Sequence, residues 1–326
     1  VATTKKTPTQ KFSGQLSLVI PCYNEEHRVE QMIEGIREFH QLVNFPYEVI
    51  VVDDGSTDRT QERIEKNPFI SDLNSAGRLR MIKLPANRGK GAALKAGVAA
   101  ASGTHVLTLD ADMATRPAEV LKWMAHHSNQ LPEHEIWIAS REHKDSVITE
   151  NAGRRSTGRI FNLFVRLFTP LRLKDSQCGF KLYPAEIAKK LFSAQQSTGW
   201  AHDVELMYRA QINGLAIRDL PITWITQSGS KISPVKDSLP MLLSVISVSL
   251  RMKWDFFVAS PIKMLRENHP AEPGKKRESL FRMLFFFTAL LLFLVMTTLS
   301  FQYGITGDDL DQKVYGESVL NYYLTL

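Results

Sequence analysis

Two carboxylates at i and i+2, Asp110 and Asp112, close an apolar run from Thr104 to Leu109. Placed at a strand end with Ala111 between them, they can converge on one hard cation, and a divalent ion held there would neutralise a departing diphosphate. Alone, the pattern equally fits a solvated turn. Other polar clusters also follow apolar runs: Pro21-Cys22-Tyr23-Asn24-Glu25, Asp53-Asp54-Gly55-Ser56, Asn87-Arg88-Gly89-Lys90-Gly91 and Ser140-Arg141. An aspartate such as Asp53 can accept from a nucleobase imide or a ribose hydroxyl, although Asp-Gly is also an ordinary turn. Tyr23 offers an aromatic face beside polar groups, or the segment is a plain helix cap. Gly89 and Gly91 let a phosphate approach the backbone at a helix N-terminus, with Arg88 and Lys90 as cations. The chain has neither G-x-x-x-x-G-K-[ST] nor G-x-G-x-x-G, which excludes a P-loop and a dinucleotide fingerprint. Gly229-Ser230-Lys231 is a further small-residue and cation element, either a diphosphate clamp or a flexible loop. Arg141, Arg154, Arg155 and Arg159 lie before or within an amphipathic segment. Their guanidinium groups can fork onto a phosphate, or they form an exposed cationic face.

These clusters need a frame that gathers them. Strand patterns at Leu16–Pro21, Tyr47–Val52, Arg78–Leu84, Thr104–Leu109 and Glu135–Ser140 alternate with helical ones. The helices are expected from about Glu25 to His40 with Asn24 as N-cap, from Ser56 or Thr57 to about Lys66, from Gly89 to Ala101, and after Pro117. Such alternation predicts an α/β fold, a mostly parallel sheet with helices on both faces. In that architecture ligands bind beyond the carboxyl ends of the strands, where the polar clusters lie. Further on, Ile160, Phe161, Phe164, Leu167, Phe168 and Leu171 describe one helix face, and helices are expected from about Ala185 and near Asp203–Asn213.

The 326 residues carry 40 Lys and Arg, 34 Asp and Glu, and 44% hydrophobic residues, which excludes a disordered or collagen-like chain. Cys22 and Cys178 are too few for a disulfide framework or a zinc site. With two cations and four anions from Phe281 onward, the residues before it hold a net +8. No basic helix or aromatic-interleaved motif points to nucleic acid. Residues 1–14 are polar, without the apolar core of a secretory leader. Met283–Tyr303 has no charged residue and is long enough to cross a hydrocarbon core of about 30 Å. Pro234–Leu265, apolar but punctuated by charges, suits a membrane interface. Lys275, Lys276, Arg277 and Arg282 place the preceding domain on the cytoplasmic side.

The strings VIPCYNEE, VVDDGSTDRT, NRGKGAALKAG, DADMAT, DSQCGFKLYP, DVELMYRA and SGSKISP occur in this order. Over roughly Leu16–Lys231 the chain resembles glycosyltransferase family two, inverting enzymes of the GT-A fold. Within it the chain is most similar to the polyprenyl (dolichyl)-phosphate sugar transferases, DSQCGFKLYP and DVELMYRA being closest to the glucosyl branch. The resemblance implies a Rossmann-like GT-A domain at 15–233 after a polar segment at 1–14. Interfacial helices at 234–280, a transmembrane helix at 281–303 and an acidic tail at 304–326 would follow.

It also implies roles. Pro21, Tyr23, Glu25, Asp53, Lys90, Asp110, Ala111 and Lys231 fall at nucleotide- or diphosphate-binding positions. Asp110 and Asp112 match the metal pair, for Mg2+ or Mn2+. Arg141, Arg155 and Arg159 match the grip on the acceptor phosphate, and Asp112, Asp175, Asp203 and Arg141 the catalytic positions. The expected reaction moves a hexose, glucose favoured, from a nucleotide diphosphate sugar to polyprenyl phosphate. GDP-mannose as donor is the alternative to UDP-glucose. Mannosyl relatives can carry a metal-ligating Gln where this chain has Ala114. A polysaccharide synthase is disfavoured because Q-x-x-R-W is absent, and a non-catalytic sugar-nucleotide sensor because the carboxylates and arginines are intact. Membrane lipid is an expected partner, nucleic acid is not, and a homo-oligomer is compatible with the sequence. The membrane would be endoplasmic reticulum in a eukaryote and plasma membrane in a prokaryote.

Overall fold

The computed structural model describes residues 16–149, 162, 164–225 and 234–254. Arg154, Arg155, Arg159, Lys231 and the apolar 281–303 stretch lie outside the described residues. Among those described, no helix is long and apolar enough to cross a membrane.

The strands are β1 (Leu16–Cys22), β2 (Tyr47–Asp53), β3 (Leu79–Lys83), β4 (His105–Thr108), β5 (Glu135–Ala139), β6 (Val147–Thr149), β7 (Lys181–Pro184), β8 (Ala216–Leu220) and β9 (Thr223–Ile225). Seven form one sheet in the order β3-β2-β1-β4-β7-β5-β8, and β6 pairs with β9 in a parallel ribbon. β1 and β2 are buried at every residue. That fits their continuous apolar runs, since a central parallel strand is covered on both faces. Adjacent residues serve opposite faces. Leu18 and Ile20 pack with Ile33, Phe39 and Trp123, whereas Val19 packs with Leu94, Val98 and Val204.

The first face is covered by α1 (Val29–Leu42), α3 (Pro68–Ser75) and α5 (Glu119–His126), and α2 (Thr60–Glu65) packs beside α1 and α3. The second is covered by α4 (Lys90–Ala100), α6 (Ala185–Ala194), α7 (His202–Ile212) and α8 (Pro234–Trp254). Small residues let α4 lie close to the sheet, because a Cβ on Gly97 would collide with Val19 and Val52.

The sheet is mostly parallel, as expected, and β7 runs antiparallel to both β4 and β5. Two expected helix caps need correction. Asn24 is not the cap of α1, which begins at Val29 after Arg28. Asn24 instead has φ 51°, and its side chain accepts from the Thr57 amide at 2.8 Å. Its amide meets the Ser56 hydroxyl at 2.9 Å, so neither Ser56 nor Thr57 caps α2, which starts at Thr60. Those polar groups satisfy each other across two loops rather than closing a helix end.

Candidate active site

The carboxyl ends of β1, β2, β4 and β5 meet at one sheet edge, and the amino end of β7 joins them because β7 is reversed. Lys181, its first residue, pairs with Thr108, the last of β4. The reversal carries the Asp175–Gly179 segment to the same edge.

The β2 end ties its neighbours together. The Asp54 amide donates to Cys22 O at 2.8 Å, and its carboxylate accepts from the amides of Arg88 (2.9 Å) and Gly89 (2.8 Å). Two charge-assisted bonds thus fasten the Gly-rich turn to β2. Beside it, fully buried Asp53 accepts from the Ser56 amide through Oδ1 at 2.9 Å, while its Oδ2 has no partner among the described residues. A buried carboxylate oxygen left unused by the described residues is an acceptor suited to a ligand's donor group. Pro21 is buried, and Tyr23 and Glu25 are half-buried next to it. The Glu25 carboxylate pairs with Arg28 at 2.5 Å.

Past β4 the backbone turns sharply, with Met113 at φ 53°. Asp112 Oδ1 accepts from the Ala114 amide at 3.0 Å, and Ala111 is buried. Lys90, the first residue of α4, reaches Asp110 Oδ1 at 2.5 Å. Burial would lower the Lys90 pKa, but Asp110, Asp203 and Asp112 raise it well above the ordinary lysine range. Burial and the neighbouring Asp110 push the Asp112 carboxyl up, against the Ala114 amide and the charges of Arg28 and Lys90. A concentrated negative site is thereby matched by Lys90 and Arg28. Behind it lies a buried pair: Lys181 donates to Asp203 in the first turn of α7, and also to Cys178 O at 2.6 Å. His202 Nε2 lies 3.4 Å from the other Asp203 oxygen.

The β5 end carries a second cation. Arg141 forks onto Asp175, Nε to Oδ2 at 2.7 Å and the terminal nitrogen to Oδ1 at 2.9 Å, and its amide also donates to Oδ2 at 3.1 Å. The guanidinium lies 5.7 Å from the Trp224 ring centroid. Asp175 is 1% exposed, whereas Arg141 keeps 28% of its side chain open. Burial would raise the Asp175 carboxyl, but Arg141 holds it below the ordinary range. Asp175 therefore fixes Arg141, and the exposed partner is the one that can meet a ligand. Burial and Asp175 push the Cys178 thiol up to about 12, which leaves it inert as a nucleophile.

The glycosyl transferase family 2 pattern matches residues 17–192, more than half of the chain. The chain belongs to glycosyl transferase family 2. This glycosyltransferase is 36% identical over 239 residues to a dolichyl-phosphate beta-glucosyltransferase of Drosophila melanogaster, covering 70% of this chain and 72% of the relative. It is 34% identical over 247 residues to the human protein of that name, covering 73% and 75%. Its fold is similar to glucosyl-3-phosphoglycerate synthase from Mycobacterium tuberculosis, solved with Mn2+, uridine diphosphate and glucosyl-3-phosphoglycerate. That likeness has a TM-score of 0.52 at 22% identity over 73% of this chain and 80% of the other.

The glycosyltransferase thus brings Pro21, Tyr23, Glu25, Asp53, Lys90, Asp110, Ala111, Asp112, Arg141, Asp175 and Asp203 to one edge. Lys231, Arg155 and Arg159 fall outside the described residues. Reading the sequence missed Lys181, Arg28 and Gly179. Among the described residues no three His, Cys, Asp or Glu side chains cluster to hold a metal. Asp110 and Asp112 fit a divalent ion as a two-carboxylate half-site, hard oxygens that leave other coordination positions to oxygens of a ligand.

Gly179 sets that half-site's geometry. A Cβ there would lie 2.5 Å from Asp110 Oδ2 and 2.7 Å from Oδ1. Gly179→Ala is expected to displace the Asp110 carboxylate from Lys90 and lower sugar transfer by about 10²-fold, the scale of an ångström misplacement. Transfer assays with a thermal melt check this, and wild-type turnover in the variant would contradict it.

Proposed function

We propose that the chain transfers glucose from UDP-glucose to a polyprenyl phosphate of the dolichyl type, with inversion at the anomeric carbon. One observation carries the reading: two separately braced anion sites share a single sheet edge. Lys90 at Asp110 serves one, and Arg141 held by Asp175 serves the other. The names of the relatives, each over about 70% of the chain, support the donor sugar and the acceptor.

The residues divide the work. Asp53 Oδ2 accepts from the nucleobase or ribose, with Tyr23 alongside. Lys90, joined by Lys231, takes the donor diphosphate. Arg141, with Arg155 and Arg159, takes the acceptor phosphate. A phosphate monoester has a second pKa of about 6, so the acceptor oxygen is anionic at neutral pH and needs little help from a base. The protein's tasks are to align two anions and to stabilise charge on the leaving diphosphate. A divalent ion, Mg2+ or Mn2+, held by Asp110 and Asp112 would supply part of that stabilisation.

A lipid acceptor calls for a lipid surface, and α8 supports one. Val245, Val248 and Met252 are buried against the domain, while Leu243, Leu250 and Trp254 are exposed. At 100° per residue the second set is a stripe opposite the first. A helix that exposes Leu243, Leu250 and Trp254 along the stripe opposite its buried face suits a membrane interface. The 281–303 segment would anchor the chain, with its catalytic domain facing the cytoplasm.

The test is a donor panel. Full-length protein is incubated with dolichyl phosphate vesicles and labelled UDP-glucose, GDP-mannose, UDP-galactose or UDP-N-acetylglucosamine, with and without Mg2+ or Mn2+. Labelled lipid from UDP-glucose, dependent on the metal, is the expected result. Label from GDP-mannose alone, or from no donor, would overturn the reading.

A further inference from the structure

We propose that Arg251 of α8 is a positioning residue for the donor-diphosphate end of the site. With buried Glu205 it sets the 195–200 loop, on which the Gly89–Gly91 turn rests. Nucleotide diphosphate as the ligand rests on the functional reading above, while the brace itself stands on the following contacts.

Glu205 lies on α7 and is 0% exposed. Its carboxylate accepts from the amides of Gln196 (3.0 Å) and Ser197 (2.7 Å), from Arg209 Nε (2.9 Å) and from Arg251 (2.9 Å). Burial would raise its pKa, but these donors hold it below the ordinary carboxylate range. The same Arg251 nitrogen reaches the Ser197 hydroxyl at 3.0 Å. Arg251 thus touches both the loop and the carboxylate that gathers the loop.

The loop in turn bears on the phosphate turn. The Gly91 amide, in the first turn of α4, donates to Thr198 O at 2.7 Å. Gly89 has φ 95°, and a Cβ there would lie 2.6 Å from the same oxygen. A Cβ on Gly91 would lie 2.8 Å from Ser197 O. Lys90 Nζ stands 6.0 Å from the Trp200 ring centroid. Both glycines are therefore required by the approach of the loop, and Lys90 is aimed at Asp110 from between them. Any shift of Ser197 and Thr198 moves the ammonium that meets the diphosphate. The nucleoside end, at Asp53 and Tyr23, is carried by the ends of β2 and β1, and Asp54 joins it to the turn through the Arg88 and Gly89 amides, bonds in which Arg251 takes no part. The brace should thus act on diphosphate more than on base recognition.

Arg251 is removable without stranding a charge. Its side chain is 29% exposed, and Glu205 keeps Arg209 and two amides when it is gone. Calorimetric titrations of the full chain in detergent compare UDP and GDP with UMP and GMP, for wild type, Arg251→Gln and Arg251→Lys. Arg251→Gln is expected to weaken the bound diphosphate by about tenfold, a change of about 1.4 kcal/mol, while the monophosphate affinity stays within about twofold. Arg251→Lys, which keeps the charge but not the planar guanidinium, should recover part of the loss. An equal fall for both nucleotides, or no fall, overturns the brace. If Arg251→Gln does not fold, Ser197→Ala takes its place, with the same split expected and its absence equally fatal. If no nucleotide binds wild type, the functional reading fails, and hydrogen exchange then judges the brace. Protection of the Gly91 amide should drop in Arg251→Gln, and unchanged protection refutes the proposal.

Discussion

Asp112→Asn is expected to lower sugar transfer by about 10²–10³-fold or more, the usual cost of removing one group that stabilises transition-state charge, while the protein stays folded and melts no lower than wild type. The two halves have one cause. The Asp112 carboxyl is pushed up by burial and by Asp110, so its negative charge is held less favourably in the folded chain than in the unfolded one. Asparagine removes the repulsion and keeps an oxygen for the Ala114 amide, now 3.0 Å from Asp112 Oδ1. Stability is retained or gained as function is lost, the trade expected where a site is arranged for charge rather than for packing. Asp112→Ala should match it in activity but not in stability, having lost that oxygen as well. Labelled transfer from UDP-glucose and a thermal melt on the same preparations decide the matter. Full activity in either variant would remove Asp112 from the chemistry.

The parts of this site legible in the sequence share a geometry. In a parallel α/β unit each apolar run is followed at once by its ligand-edge loop, so Asp53, Lys90, Asp110 and Arg141 are found by reading past strand ends. Their supports are not local. Asp175 is 34 positions from Arg141, and Asp203 is 22 from Lys181. No periodicity reports such a distance. Lys181 is the sharpest case. Lys-Leu-Tyr-Pro is too short for a clear period, and a lysine in it suggests an exposed edge. The reversal of β7 buries it completely between β4 and β5. Asn24 misleads in the opposite way, because its type and place suit a helix cap while its partner is Thr57, 33 positions on. The Glu205–Arg209 spacing of i and i+4 is visible, but it looks the same as an exposed helical ion pair. Only the packing of α8 shows that it is a buried junction.

Lys181→Met is expected to destabilise the chain by about 3–5 kcal/mol, because it removes one partner of a buried ion pair and leaves the other charged. Lys181 is 0% exposed and its ammonium is shared between Asp203 and Cys178 O. Burial would raise the Asp203 carboxyl, but His202, Lys181 and Lys90 together hold it below the ordinary range. The sign of the pH dependence follows. A carboxyl depressed in the folded state adds stability above its unfolded pKa of about 3.9, and that stability is lost as pH falls through the lower folded value. In wild type this gain is complete at neutral pH. In Lys181→Met much of it is gone at neutral pH, so the two proteins should converge as acid protonates Asp203. A second substitution sharpens the test. Lys181→Met with Asp203→Leu removes both charges, and should recover much of the lost stability, since an apolar replacement of a buried pair is often neutral. Transfer should not recover with it, because Asp203 also faces Lys90 across the site. Urea unfolding of the three proteins at neutral and acidic pH, with activity alongside, measures each part. A single variant as stable as wild type at neutral pH would show that the pair contributes nothing to the fold. Transfer restored in the double variant would show that Asp203 serves the fold alone.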